Sequence, residues 1–124
     1  MRYILIPLLF LVFGCKENYQ LTEAYDRGKE VYITNCISCH GSNGAGNLLY
    51  PPINSRIANA MTLERAVSLI LQGSQNMPSV DLTDQEITDV LNYIQNSWGL
   101  EAEIIPIDSI ISFKSISKNA AIYP

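Results

Sequence analysis

The sequence is short of the residue types that several common kinds of functional site need. Its 124 residues include one histidine and three cysteines, and only 16% of the side chains are charged. A single histidine excludes a pair of histidine ligands within the chain. Three cysteines and one histidine also leave few ligands for a zinc site, which usually takes four from the protein. The formal net charge of −4 argues against a nucleic-acid partner.

The histidine and two of the cysteines form one motif, Cys36-Ile37-Ser38-Cys39-His40. Two thiols three residues apart lie about one helical turn apart, so both reach the two vinyl groups on one edge of a porphyrin. The adjacent imidazole then falls under the iron, for which neutral histidine is a good ligand. The motif predicts covalent attachment of one haem c through Cys36 and Cys39, with His40 as an iron ligand.

Three other interpretations of this motif need weighing. A Cys-x-x-Cys pair also occurs in thioredoxin-like proteins and in zinc sites. No strand–helix–strand pattern surrounds the pair, and the ligands for zinc are too few. A peroxidase-like or gas-binding haem enzyme needs an open iron and usually a distal acid–base group. The single histidine is already used, so haem attachment without catalysis is the favoured interpretation.

The first residues predict an export signal. Met1-Arg2 is a basic start, and the apolar run that follows is about 11 residues, against the roughly 20 that span a bilayer. Cys15 directly follows Gly14, and this junction resembles a bacterial lipoprotein cleavage box. The resemblance implies a signal peptide over 1–14, acylation of Cys15 and a lipidated tether over 15–21. We therefore expect an exported protein, lipid-anchored to a membrane and facing the periplasm or the cell exterior.

Apolar spacing, N-cap residues and glycine stops predict an all-α chain. The first helix is expected to start at Thr22, the second at Thr62, and the third at Thr83 through a capping box with Glu86. The extension over 101–124 is expected to hold one short helix, followed by loose residues. The expected helices are 22–35, 62–72 ending before Gly73, 83–98 ending at Gly99, and 108–113, with 115–124 loose.

Two loops carry the remaining candidates for the site. After His40, a glycine-rich turn leads to Tyr50-Pro51-Pro52-Ile53. A proline carbonyl in this segment is expected to accept the proton of His40 Nδ1 and so fix the ring, and Pro52 is favoured over Pro51.

The second iron ligand is expected in the loop between the second and third helices. Met77 is followed by Pro78, which favours an extended backbone that presents the side chain. Met61 lies just before a helix and is interpreted as filling core space or forming part of the wall of the haem pocket. Met77 is therefore the predicted second axial ligand. Imidazole and thioether together favour the reduced iron and leave no site for O₂ or peroxide.

Taken together, the motifs resemble those of a small bacterial class I cytochrome c with one haem. The resemblance covers about residues 22–100 and implies a small cytochrome c fold, three to four helices around the haem, with the first and last core helices crossing near Gly28 and Tyr93. It implies axial His40 and Met77 and places Tyr50 and Pro52 at the cofactor. The matching pieces are Gly28-Lys29-x-x-Tyr32, Cys36-x-x-Cys39-His40-Gly41-x-x-Gly44-x-Gly46, Tyr50-Pro51-Pro52-Ile53, Gly73-x-x-x-Met77-Pro78 and Leu91-x-Tyr93-Ile94-x-x-Ser97-Trp98-Gly99.

The expected function is one-electron transfer by a membrane-tethered carrier that is not an enzyme. Its expected partners are a redox protein donor and a redox protein acceptor of a respiratory chain. The resemblance is strongest to cytochrome domains attached to, or serving, terminal oxidases and nitrite reductases. A haem-binding subunit or domain partner of such a complex is therefore the alternative to a free carrier.

Overall fold

The computed structural model describes residues 14–55 and 60–120. Within them the chain forms five helices and no strand, which confirms the predicted all-α class. The predicted signal peptide lies outside the described residues except for Gly14. None of the helices in the described part is long and apolar enough to cross a membrane. The helices are α1 (Gly14–Asn35), α2 (Ile37–His40), α3 (Leu63–Gln72), α4 (Asp84–Gln95) and α5 (Ile107–Ala120).

The start of α1 differs from the sequence prediction. The helix begins at Gly14, so Thr22 lies inside it, and the interpretation of Thr22 as an N-cap is wrong. The segment over 15–21, predicted to be a tether, is helical. It contains Lys, Glu, Gln and Leu, which favour helix, and no proline, so nothing in it ends the helix before Thr22.

The starts of α3 and α4 are confirmed. The Thr62 hydroxyl accepts a hydrogen bond from the Arg65 N–H at 3.3 Å. At α4 the Thr83 side chain accepts from Glu86 N–H at 3.2 Å, and the Glu86 carboxylate accepts from Thr83 N–H at 2.8 Å. The Thr83 N–H and hydroxyl both donate to the Glu86 carboxylate at 2.8 Å, and these two hydrogen bonds lower the pKa of Glu86. Each cap pairs residues three apart, so the local sequence is enough to predict it.

The end of α4 was predicted too late. The helix stops at Gln95, and the chain turns through Trp98, whose φ is +56°, before it reaches Gly99. The Trp98 ring packs against both Tyr32 and Tyr93, with centroid distances of 5.7 and 5.9 Å. The packing of this ring is a tertiary interaction, and it explains why the turn precedes the glycine that the sequence offers as a stop.

The core lies where α1 crosses α4, the pair of helices with the most extensive contact. Tyr32 is 1% exposed and Ile87 is 0% exposed in this core. Gly28 sits at the crossing, where an added Cβ would meet the backbone carbonyl of Asp89 and lie 2.8 Å from Tyr93 Cβ. The crossing near Gly28 and Tyr93 is therefore confirmed, and the close helix contact explains a glycine inside a helix.

The C-terminal extension packs on this core through a polar clamp. Asn92, 1% exposed, donates its Nδ2 to the Ile105 carbonyl at 3.0 Å and accepts from the Ile105 N–H at 2.8 Å. Beyond the clamp, α5 packs against α3 and α4 and buries Ile110 completely. The predicted short helix over 108–113 exists but is longer, and residues 115–120, expected to be loose, belong to it.

Candidate functional site

The two thiols and the imidazole of the motif lie on one continuous turn. The Cys36 N–H donates to the Tyr32 carbonyl at 2.8 Å, which extends the hydrogen bonding of α1 up to the motif. The N–H groups of Cys39 and His40 then donate to the Cys36 carbonyl at 3.2 and 2.9 Å. Cys36 and Cys39 are half-buried and form no disulfide. This helical turn is the arrangement that the spacing of the motif predicts.

The environment of Cys36 does not match a thiol-redox pair. Burial, with a smaller contribution from Cys39, raises the pKa of the Cys36 thiol to about 11. The nucleophilic cysteine of a Cys-x-x-Cys redox protein has a lowered pKa, because the thiolate is the reactive form. A thiol that stays protonated at neutral pH disfavours the thioredoxin-like interpretation. The described residues also contain no cluster of three or more His, Cys, Asp and Glu that could hold a metal ion.

The His40 ring is oriented by a backbone carbonyl. Its Nδ1 lies 3.2 Å from the carbonyl oxygen of Pro51, not of Pro52 as the sequence analysis favoured. A carbonyl only accepts, so Nδ1 must carry the proton. Nε2 is then left with the free lone pair that a metal needs. Both prolines offer a carbonyl, and the fold of the preceding loop decides which one faces the ring.

That loop depends on glycine at two positions. Gly44 and Gly46 have φ of +67° and +62°, in the region that favours glycine. A Cβ on Gly44 would lie 2.7 Å from the Trp98 ring, and one on Gly46 would meet the carbonyls of Tyr50 and Pro51. The Gly46 N–H also donates to the His40 carbonyl at 2.9 Å. The glycines therefore let the chain fold back far enough to bring a carbonyl to His40.

Tyr50 and Pro52 flank the residue that contacts His40. Tyr50 is half-buried, and its carbonyl accepts from the Asn47 N–H at 2.9 Å. Pro52 is exposed. Their expected contact with the cofactor stays a prediction, while their neighbour Pro51 has a defined role in orienting His40.

Met77 lies in a tight loop after α3. Gly73, with φ of +73°, allows the chain to turn so closely that a Cβ on it would meet the Met77 carbonyl. The Ser74 N–H donates to that same carbonyl at 2.8 Å, and the Val80 N–H donates to the Ile70 carbonyl at 2.8 Å. Met77 is half-buried, whereas Met61 is 42% exposed. The loop fixes the backbone of Met77, and its role as an iron ligand stays a prediction.

One contact at the site was missed by the sequence analysis. Tyr32, part of the Gly28-Lys29-x-x-Tyr32 piece but not among the predicted site residues, donates its hydroxyl proton to the Gly41 carbonyl at 2.7 Å. Burial raises the pKa of Tyr32 to about 12, with smaller contributions from Cys36 and Tyr93. Tyr32 lies four residues before Cys36, and residues four apart share a helix face. This spacing was the feature of the sequence that could have indicated a contact with the site.

The donor set fits a haem attached through two thioethers. Two free thiols on one turn supply the sulfurs, and an oriented imidazole supplies a nitrogen with a free lone pair. An all-helical chain with this site has the features of a c-type cytochrome domain. The family model of the cytochrome c oxidase cbb3-type subunit III matches residues 23–94, and the chain belongs to this cytochrome c family. The family implies covalently bound haem c as the cofactor.

Two relatives are named as subunits of redox enzymes. The cytochrome c subunit of the quinone alcohol dehydrogenase of Gluconobacter oxydans is 32% identical over 90 residues, which cover 60% of this chain and 19% of the relative. A nitric oxide reductase subunit of Halomonas halodenitrificans is 28% identical over 111 residues, 78% of this chain and 74% of the relative. The chain thus matches about a fifth of the first relative and about three quarters of the second.

Proposed function

We propose that the protein is a one-electron carrier with His40 and Met77 as the two axial ligands of haem c. It is exported and tethered to a membrane by lipid on Cys15. It passes electrons between a redox protein donor and a redox protein acceptor of a respiratory chain. Membership of the cytochrome c family supports haem-based electron transfer, and the ligand pair, the lipid and the pathway are the parts that we add.

The observation that carries the proposal is the contact between His40 Nδ1 and the Pro51 carbonyl, 3.2 Å long. It fixes the tautomer, so Nε2 is the nitrogen available to a metal. It also fixes the ring on the turn that bears Cys36 and Cys39. A carbonyl only accepts a hydrogen bond, so this contact orients the imidazole and supplies no group that takes up a proton.

The loop around Met77 supports this side chain as the second ligand. Its backbone is held by the hydrogen bond from Ser74 and by the close approach of Gly73. When bound, haem c supplies an iron that gains or loses one electron. With a side chain on each face, the protein offers small oxidants no open position. Ligation of the iron by both His40 and Met77 would thereby favour electron transfer over catalysis.

Replacing Met77 tests the ligand pair. We expect Met77→Ala to lower the reduction potential by on the order of 0.1–0.2 V, a fraction of the roughly 0.8 V that axial ligands span, and to let the reduced protein bind carbon monoxide. Met61→Ala is the matched control and should leave both properties at their native values. A native potential in Met77→Ala would show that the second ligand is another group.

The tether is tested separately by labelling. Cells that express the full chain should incorporate a labelled fatty acid into it, and Cys15→Ser should abolish both the label and the recovery of haem-stained protein in the membrane fraction. Unlabelled native protein would remove lipid from the proposal and leave the haem site untouched.

A second candidate is a subunit of a larger complex. The similar proteins favour it, because the matching family and both relatives are named as subunits. Native electrophoresis of mildly solubilised membranes separates the two possibilities. A carrier migrates as a small haem-stained species, whereas a protein built into a complex migrates with that complex.

A further inference from the structure

The charges of this chain avoid the segments that carry the site. No charged residue lies between Glu30 and Arg56, the segment that contains the attachment motif, or between Arg65 and Asp81, the segment that contains Met77. The 8 basic and 12 acidic residues all lie elsewhere. A partner that meets the chain at these segments therefore finds no ion-pair partners on them.

One of these uncharged segments exposes two leucines side by side. Leu48 has a relative exposure of 105% and Leu49 of 70%, the two highest among the exposed large hydrophobic residues of the described part. Exposed apolar area of this kind is a common feature of protein interaction sites.

The backbone that carries these leucines is held in one conformation. The Asn47 side-chain oxygen accepts from the N–H groups of Leu49 and Tyr50 at 2.8 and 3.2 Å, and the Asn47 N–H donates to the Tyr50 carbonyl at 2.9 Å. An ordered loop loses less conformational entropy when a partner binds than a mobile one does. The leucines are thus presented to solvent by a preorganised turn.

The same turn is continuous with the site. Leu49 lies two residues before Pro51, whose carbonyl contacts His40. A protein that covers Leu48 and Leu49 therefore docks beside the chain segment that orients the iron ligand. Docking serves electron transfer by bringing the donor and the acceptor within a short distance of each other.

We propose that Leu48 and Leu49 form the docking surface for a redox protein whose own contact face is apolar and uncharged. This inference rests on the proposed function as an electron carrier. A charged partner face would lose hydration against this surface and gain no ion pair. An anionic lipid surface attracts basic residues, and none lies between Glu30 and Arg56.

A second copy of the haem-loaded protein is a suitable probe, because its own loop is such a face. In a mixture of reduced and oxidised protein, one electron leaves the reduced copy and enters the oxidised copy, with no bond made or broken and no proton transferred. The rate of this self-exchange follows from NMR line widths in such mixtures. We expect Leu48→Ser with Leu49→Ser to lower the rate about tenfold, the loss typical of truncated anchor residues.

A charge on the loop sharpens the test. Leu48→Glu should lower the rate at least as much, and added salt should restore part of the loss because salt screens the new like-charge repulsion. Ile111→Glu is the matched control: Ile111 is 47% exposed on α5, and its replacement gives the same net charge. It should keep close to the native rate and the native salt dependence.

Each outcome either supports or overturns the proposal. Leucine variants with a native reduction potential and slow self-exchange support it. Variants with a native potential and the native rate overturn the docking surface while the electron carrier stands. A haem-loaded protein without a reversible one-electron couple removes the proposed function itself. In protein that carries Cys15→Ser, leucine variants that keep self-exchange but lose the sedimentation with phosphatidylglycerol vesicles seen without them would assign the loop to a membrane and overturn a protein partner.

Discussion

The crossing of α1 with α4 and the loops around His40 differ in burial, charge and the kind of bond that holds them. At the crossing, Tyr32, Val90 and Asp89 are between 1% and 2% exposed. At the site, His40 at the end of α2 and Met77 in its loop are half-buried, and Pro52 is exposed. The crossing is thus a packed scaffold, and the loops are a surface with a defined backbone.

Among the described residues, one ion pair joins α1 to α4 at the crossing. Arg27 donates from Nε and Nη2 to the Asp89 carboxylate at 2.7 and 2.9 Å, and Gln85 donates to the same carboxylate at 2.9 Å. The hydrogen bond to Asp89 raises the pKa of Arg27 above its usual value. A buried carboxylate needs such partners, because its desolvation is otherwise too costly.

No ion pair of this kind is found among the described residues of the loops, which depend on glycines instead. Gly44, Gly46 and Gly73 adopt positive φ and let backbone groups approach His40 and Met77. We therefore expect substitutions at the crossing to change the free energy of unfolding but not the reduction potential. Substitutions at the loop glycines should change both.

The largest effect is expected from Gly28→Ala. The added Cβ would meet the Asp89 carbonyl, a backbone atom that moves only if the two helices separate. Such overpacking should lower the free energy of unfolding by about 3 kcal/mol. Denaturant unfolding of the haem-loaded protein measures it, and the potential of the folded fraction should stay native. Lys29→Ala, exposed on the same helix, is the control and should stay within about 0.5 kcal/mol of native.

Gly73→Ala should have the second largest effect, about 2 kcal/mol, because a φ of +73° with a ψ of −167° strains any residue with a Cβ. The new methyl group also meets the Met77 carbonyl, so the loop must move. If Met77 is the ligand, the reduction potential should fall as well. Unfolding and potentiometry on one sample check both effects. A variant with lower stability but the native reduction potential would show that the loop does not act on the iron. The crossing and the loops would then not differ in their effect on the potential.

The two regions also differ in how far the sequence predicted them. The caps at Thr62 and Thr83 and the turn of the motif depend on residues three or four apart, and the sequence predicted all three. The pairing of Arg27 with Asp89 joins residues 62 apart, so no local pattern indicates it. The choice of Pro51 over Pro52 depends on how Gly44 and Gly46 turn the chain, which is a tertiary outcome.

The helix boundaries show the same limit. The prediction started α1 at Thr22 because threonine is a good N-cap, but the preceding residues favour helix equally well. The end of α4 was predicted too late because Trp98 packs against partners on other elements, and the length of α5 was predicted too short. The turn that carries Cys36, Cys39 and His40 was predictable because covalent attachment of a haem fixes the spacing of these residues.

Asp89→Asn should lower the free energy of unfolding by about 1.5 kcal/mol, the value of a hydrogen bond to a charged group. The amide cannot accept both hydrogen bonds of Arg27, so one donor loses its partner. Asp26 is exposed on α1. The control Asp26→Asn changes the net charge by the same amount and should leave the free energy of unfolding near its native value. Combining Asp89→Asn with Arg27→Gln should cost less than the sum of the single changes. Additive losses would mean that the two side chains do not stabilise the protein as a pair.

The smallest effect, about 1 kcal/mol, is expected from Tyr32→Phe, which removes the hydrogen bond to the Gly41 carbonyl and keeps the ring. Tyr32 belongs to both regions, since its ring is buried at the crossing and its hydroxyl contacts the loop after His40. Folding raises the pKa of Tyr32 to about 12, so the protonated hydroxyl contributes fully to the free energy of unfolding below pH 10. This contribution is then lost as the pH rises toward 12, where the unfolded chain releases a proton that the folded protein keeps. The free energy of unfolding should therefore fall less steeply with pH between 10 and 12 for Tyr32→Phe than for the native protein. Equal slopes for the two proteins would show that folding does not hold the proton on this hydroxyl.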